Sequence, residues 1–205
     1  MIYSNKAFPI YSKAPYNVNG MEVVKVSNQF QPYLTIDILQ KLGMPKSIAS
    51  VALHLLDSKT TFAYLNQHGL EISQFLEWKT KAKQQKVNDA EFLFVPGDTK
   101  EEQINHLVKE VFHQTKENAD KHVTIVIDVE KVGHTCDEGG LRLFLTNQKD
   151  KSRLLFDVKG LSFGWIAERQ LINSQCEYGM TLLLIGRDGE CMCIPYYVKV
   201  EVECF

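Results

Sequence analysis

The stretch Val123-Thr124-Ile125-Val126-Ile127-Asp128-Val129 decides the fold. Its β-branched side chains follow one another with almost no polar interruption, where a strand with one wet face would alternate apolar with polar. Such a run has no face to offer water, so it is expected as a strand covered on both sides, at the centre of a sheet.

Upstream of it, helices and strands alternate. Leu34 to Leu42 predicts a short helix that Gly43 and Pro45 stop. Ile48, Val51, Ala52, Leu55 and Leu56 then recur at helical spacing behind Pro45-Lys46-Ser47, which predicts a buried helix to about Asp57. Thr60 to Leu65 reads as a strand, Leu70 to Trp78 as a helix, and Glu91 to Val95 as a second strand closed by the Pro96-Gly97 turn. Asp98 or Thr99 is placed to cap a long helix whose apolar stripe is Ile104, Leu107, Val108, Val111 and Phe112. The segment before these elements carries Pro9, Pro15 and Pro32, with Glu22 to Val26 as its one plausible strand. Residues 1–31 are therefore expected as an extended arm, and residues 32–205 as a single α/β domain.

Downstream, the pattern turns to antiparallel strands. Leu141 to Leu145 and Arg153 to Val158 flank a polar turn. A helix around Trp165 to Ile172 precedes Met180 to Ile185, and Asp188-Gly189 then signals a hairpin into Cys191 to Pro195, followed by Tyr197 to Val202. Together these elements predict an α/β, three-layer-like sandwich with one central mixed sheet that includes the strands of the second half.

Composition narrows the function classes. The chain has 205 residues, with 23 Lys+Arg against 25 Asp+Glu, so no basic excess points to nucleic acid. No apolar run is long enough for a membrane helix, and the polar start, broken early by Pro9, lacks the form of a secretory signal. A cytoplasmic protein with no membrane and no nucleic-acid partner is expected. The five cysteines (Cys136, Cys176, Cys191, Cys193 and Cys204) are an odd set, read as reduced thiols.

Several segments taken in order resemble the PhnH family, the H subunits of the bacterial carbon–phosphorus lyase system. They are V-T-I-V-I-D-V-E-K-V from Val123 and E-G-G-L-R-L-F-L-T to Thr146, then Gly160-Leu161, Trp165, Arg169, Asn173 and Gly179, then Leu182-Leu183-Leu184 and Ile194-Pro195. Ala49 to Asp57 with Thr60 to Leu65 is similar to the family's leucine-rich helix and following strand, so the likeness runs from about Lys46 to Val202. At the family's F-P-x-G-x-D motif only Gly179 is kept, and its P-R-T-T becomes Pro195-Tyr196-Tyr197-Val198. The resemblance implies a fold similar to the large domain of pyridoxal-phosphate transferases without the cofactor. It also implies a largely structural, non-catalytic subunit of the transferase-type core complex that uses ATP to join a phosphonate to ribose with loss of adenine. Its partners would be the other lyase subunits, with a homodimer when isolated.

Read residue by residue, no catalytic pair stands out. His134 and Cys136, like Cys191 and Cys193, are separated by a single residue, which is poor zinc-ligand spacing, and no metal is expected. Asp137 and Glu138 would raise the Cys136 thiol, so a nucleophile is disfavoured there. His54, inside an apolar helix, is read as a hydrogen-bonded histidine. Lys159 as a Schiff-base lysine has no pyridinium partner to support it, and no cofactor is expected. Phosphate-binding loops are absent, which leaves basic residues near turns, Arg153, Lys159, Arg169 and Arg187. The candidate ligand-binding residues are Arg169, Asn173, Arg153 and Lys159. Tyr196 and Tyr197 are candidate interface residues, projecting to opposite faces if extended. The alternative function is a free-standing α/β small-ligand-binding protein or enzyme with an arginine-lined cleft. A diverged homodimer without its ancestral partners is a third reading.

Overall fold

The computed structural model describes residues 23–25, 36–66, 68–112, 122–134, 139–148, 151–176 and 179–204. The remainder of the arm, and Cys136 with Asp137 and Glu138, lie outside the described residues.

In chain order the elements are β1 (Val23–Lys25), α1 (Ile36–Leu42), α2 (Lys46–Leu55), β2 (Thr61–Tyr64), α3 (Gly69–Thr80), β3 (Lys83–Gln84), β4 (Phe92–Pro96) and α4 (Glu101–Phe112). They continue with β5 (Val123–Asp128), β6 (Lys131–Gly133), β7 (Leu141–Asn147), β8 (Arg153–Lys159), α5 (Phe163–Gln175), β9 (Met180–Ile185), β10 (Glu190–Ile194) and β11 (Val198–Cys204). Helix α1 ends because Gly43 takes a left-handed turn at φ 63°, and the amides of Gly43 and Met44 return to the carbonyls of Gln40 and Leu39. Thr99 differs from its expected capping role: its hydroxyl donates back to the Pro96 carbonyl at 2.6 Å, while Glu101 and Glu102 supply the acidic first turn of α4.

Among the described residues the strands form two sheets, one of seven strands in the order β1-β10-β9-β5-β4-β2-β3 and one of four in the order β11-β7-β8-β6. Strand β5 is the middle strand of the larger sheet, as its continuous apolar run predicts, with β4 and β9 parallel on either side. The pleat divides its side chains between two cores. Ile125 and Ile127 face α4, α5 and the inner face of the smaller sheet, whereas Val126 faces α1, α2 and α3. Helices therefore cover the mixed sheet on both faces, and β9 and β10 form the hairpin that Asp188-Gly189 signals.

The expectation of one sheet for the second half is corrected here. β6, β7, β8 and β11 leave the mixed sheet and form the smaller antiparallel one. The reason lies in their alternation. Leu143 and Leu145 are buried while Phe144 between them is exposed, and Val198 and Val200 alternate with exposed Lys199 and Glu201. Strands with one wet face cannot replace β5 or β9, whose two faces are both dry. The inner side chains, with Phe156 and Val158, instead close the core over α4 and α5.

Helix α5 also protects the free edge of this smaller sheet. Arg169 donates to the Val198 carbonyl at 3.0 Å and Gln170 to the Val200 carbonyl at 2.5 Å, so part of the edge of β11 is already occupied.

Candidate functional site

Parallel strands end together at one rim of the larger sheet, and the chain leaves β2 and β4 in opposite directions there. Helix α3 follows β2 onto one face, and α4 follows β4 onto the other. Divergent connections of this kind open a crevice beyond the carboxyl ends of adjacent strands. A small cleft of about 70 Å³ lies at that point, with Tyr64, Asn66, Pro96 and Asp128 from the strand ends and Pro45 and Ile48 from α2 and its preceding turn.

The cleft combines an apolar wall with one poorly satisfied acid. The Tyr64 and Phe94 rings stack at 5.6 Å and 14°, and Phe62 meets Phe94 edge-on at 6.4 Å. Asp128 Oδ1 is buried with no hydrogen-bond partner among the described residues. Burial raises the Asp128 carboxyl above its ordinary range, with the Arg187 guanidinium acting against the shift and the Asp98 carboxylate adding to it. Burial, then the charge of Asp128, raises the Tyr64 phenol, which stays protonated. The backbone of this rim is tightly tied. Gly97 donates to the Asp128 carbonyl at 2.7 Å, Ser162 donates to the Gly97 carbonyl at 2.8 Å, and Glu130 donates to the Lys159 carbonyl at 2.9 Å.

The residues singled out in the sequence are not gathered in this cleft. Arg169 is 1% exposed on α5, and its Nη2 donates to the carbonyls of Pro195 and Val198. Burial lowers its guanidinium to about 10, so it is charged at neutral pH. Asn173, one turn on, donates to the carbonyls of Met180 and Tyr196 at 3.0 Å each and accepts the Met180 amide at 2.6 Å. Both side chains thus clasp the turn between β10 and β11 to α5. Arg153 and Lys159 sit at opposite ends of β8, about 20 Å apart by strand geometry. Arg153 lines a shallow depression with Phe144, Leu155 and Glu201 on the outer face of the smaller sheet. Arg187 alone of the phosphate candidates acts on the cleft, through its effect on Asp128.

The Tyr196-Tyr197 segment is a turn and not extended, so the two rings meet edge-on at 5.4 Å. Tyr197 packs on the core shared with the smaller sheet, and Tyr196 stands 5.7 Å from the His122 ring. His122 Nε2 shares a hydrogen bond of 3.0 Å with Thr181, whose hydroxyl accepts the Tyr196 amide at 3.2 Å. His54 donates to the Ser50 carbonyl at 2.8 Å, one turn back on α2. His134 contacts the Leu155 carbonyl at 3.2 Å and lies 4.8 Å from the Phe156 ring.

Burial raises the Cys193 thiol to about 12 and the Cys191 thiol further, so both remain uncharged and suit packing better than nucleophilic attack. Among the described residues no three His, Cys, Asp or Glu side chains converge as a metal-ligand set.

Tyr64 and Asp128 were not among the sequence candidates, although a signal exists for each: both close strands of apolar and aromatic residues whose preceding positions are buried. An acid at the carboxyl end of a dry parallel strand is the position from which α/β sheets present chemistry.

Compared with known proteins, residues 31–201 match the family model described as "Bacterial phosphonate metabolism protein (PhnH)". The match takes in α1 as well as the segments from α2 to β11. No curated protein matches the chain.

Proposed function

The chain belongs to the PhnH family of bacterial phosphonate metabolism proteins, and on that premise we propose that it is a subunit of the carbon–phosphorus lyase core complex with a mainly structural, non-catalytic role. In this reading the complex uses ATP to join a phosphonate to ribose with displacement of adenine. The chain supplies surfaces to the sister subunits in the cytoplasm, and pairs with itself when they are missing. The family match over residues 31–201 carries the reading, since it spans both sheets and the helices between them.

The outer face of the smaller sheet supports it. Phe144 and Leu155 stand directly opposite each other there, 39% and 40% exposed. Beside them lie the exposed Lys199–Glu201 pair at 2.8 Å and half-buried Arg142, which is bonded at 2.9 and 3.1 Å to the buried Asp157. An apolar centre with a charged rim is the composition of a protein-binding surface. The half-buried Tyr196-Tyr197 turn between β10 and β11 is read as a second, smaller contact for a partner. The framework is read as similar to the large domain of pyridoxal-phosphate transferases, a likeness supported by a largely parallel sheet between two helical coverings.

No helix among the described residues is long and apolar enough to cross a membrane. Co-expression with the other lyase subunits tests the proposal. The chain should co-purify with them through size exclusion at constant stoichiometry, and its elution as a separate species at every salt concentration would refute the role.

The alternative of a small-ligand-binding protein is favoured by one observation, the cleft at the carboxyl ends of β2, β4 and β5. Its lining differs from the arginine-lined cleft expected for it, because an acid and a phenol occupy the rim.

A further inference from the structure

We propose that the cleft between Tyr64 and Asp128 is a binding site for a small, non-anionic ligand that donates a hydrogen bond to the Asp128 carboxylate. The inference stands apart from the subunit role: a chain that assembles with others can have this site or lack it.

Placement is the first argument. The cleft opens where the connections after β2 and β4 diverge, the position at which open α/β sheets bind ligands.

The second argument is the state of Asp128. Buried polar atoms in folded proteins are nearly always hydrogen-bonded, and an exception calls for a cause. Asp128 Oδ1 is buried and has no partner among the described residues, while the carbonyl of the same residue accepts the Gly97 amide. The chain holds the acid rigidly in place and leaves one oxygen without a donor. A ligand N–H or O–H would complete it.

Charge then selects the ligand class. Asp98 and Arg187 act on Asp128 electrostatically with opposite signs, which leaves the charge of the acid uncancelled. A phosphate or phosphonate entering the cleft would meet that excess of negative charge, whereas a neutral or cationic donor would not. The stacked Tyr64 and Phe94 rings, with Pro45 and Ile48 across from them, add an apolar wall for the remainder of the molecule. A volume of about 70 Å³ is well below that of a site for a drug-sized molecule, so the cleft admits only a molecule of a few heavy atoms. The shared chemistry is a compact molecule with an amine or hydroxyl donor.

Saturation-transfer NMR on the full chain tests this, with methanol as the hydroxyl probe, methylammonium as the amine probe, and inorganic phosphate as competitor. At least one donor should bind, and which one responds identifies the source of the hydrogen bond. Asp128→Asn should weaken that binding about tenfold or more while the protein melts at the same or a higher temperature. Arg187→Ala, at an exposed hairpin position, leaves Asp128 in place and should tighten methylammonium more than methanol if both bind. Binding of neither donor, equal binding to Asp128→Asn, or displacement of the probe by phosphate would each overturn the proposal.

Discussion

The amide of Gly97, just past β4, donates to the carbonyl of Asp128, the last residue of β5, at 2.7 Å. This bond joins the ends of two neighbouring strands at the rim of the cleft. It requires the two backbones to lie so close that a Cβ on Gly97 would collide with the carbonyl oxygens of Gly160 and Asp128. Gly97→Ala must therefore push the rim apart, and a loss of about 1–3 kcal/mol is expected, as for other overpacked sites. Urea unfolding measures it. Unchanged stability would mean that the rim is looser than described.

Asp128 gives a pH signature. Burial raises its carboxyl above the usual 3.8, so the folded chain holds that proton more tightly than the unfolded chain does. Its ionisation costs nothing below the unfolded value and erodes stability as pH climbs through that value toward the folded one. Asp128→Asn removes the loss. The melting-temperature gain of the variant should be small near pH 4, widen with rising pH, and level off above the folded value. A gain that shrinks as pH rises would contradict the burial of the acid.

Asn173 separates a clamp from a charge effect. Its amide donates to two carbonyls and its oxygen accepts the Met180 amide. Asn173→Ala is expected to cost about 1–3 kcal/mol. Asn173→Asp keeps the acceptor but turns a carboxylate toward the Met180 and Tyr196 carbonyls, so it should be less stable than the alanine variant at neutral pH. Chemical denaturation of the pair decides the matter, and the opposite ranking would show that the side chain does not hold the β10–β11 turn.

Phe144 tests the outer face of the smaller sheet. It is 39% exposed and directly opposite Leu155, so Phe144→Asp should leave the melting temperature of the isolated chain nearly unchanged while weakening its association with sister subunits or with itself. Analytical ultracentrifugation and co-purification read the two effects. Intact association would remove this face from the interface.

The sequence announced those features that depend on local pattern. The dry run ending in Asp128 specified the central strand, because a strand covered on both faces needs no alternation. Asp188-Gly189 specified the β9–β10 hairpin through its turn chemistry. Which sheet a strand joins is non-local: β7 and β11 alternate as one-sided strands, yet only the packing of α4 and α5 against Leu143, Leu145, Val198 and Val200 makes a second sheet of them. The two-residue β3 carries too little sequence to be recognised. Arg169 and Asn173 stood out because they fall on the arginine and asparagine positions of the family pattern, but the sequence did not show that their partners are backbone carbonyls from residues 180–198. Tyr64 and Asp128 come together only when β2, β4 and β5 align, and their separation in the chain hid the cleft.

Reconstitution of the phosphonate-processing complex with and without this chain tests its assignment as a subunit most directly. Product formation should fall when the chain is left out and return when it is added back, while the chain alone turns over no phosphonate. Undiminished activity in its absence would contradict the assignment.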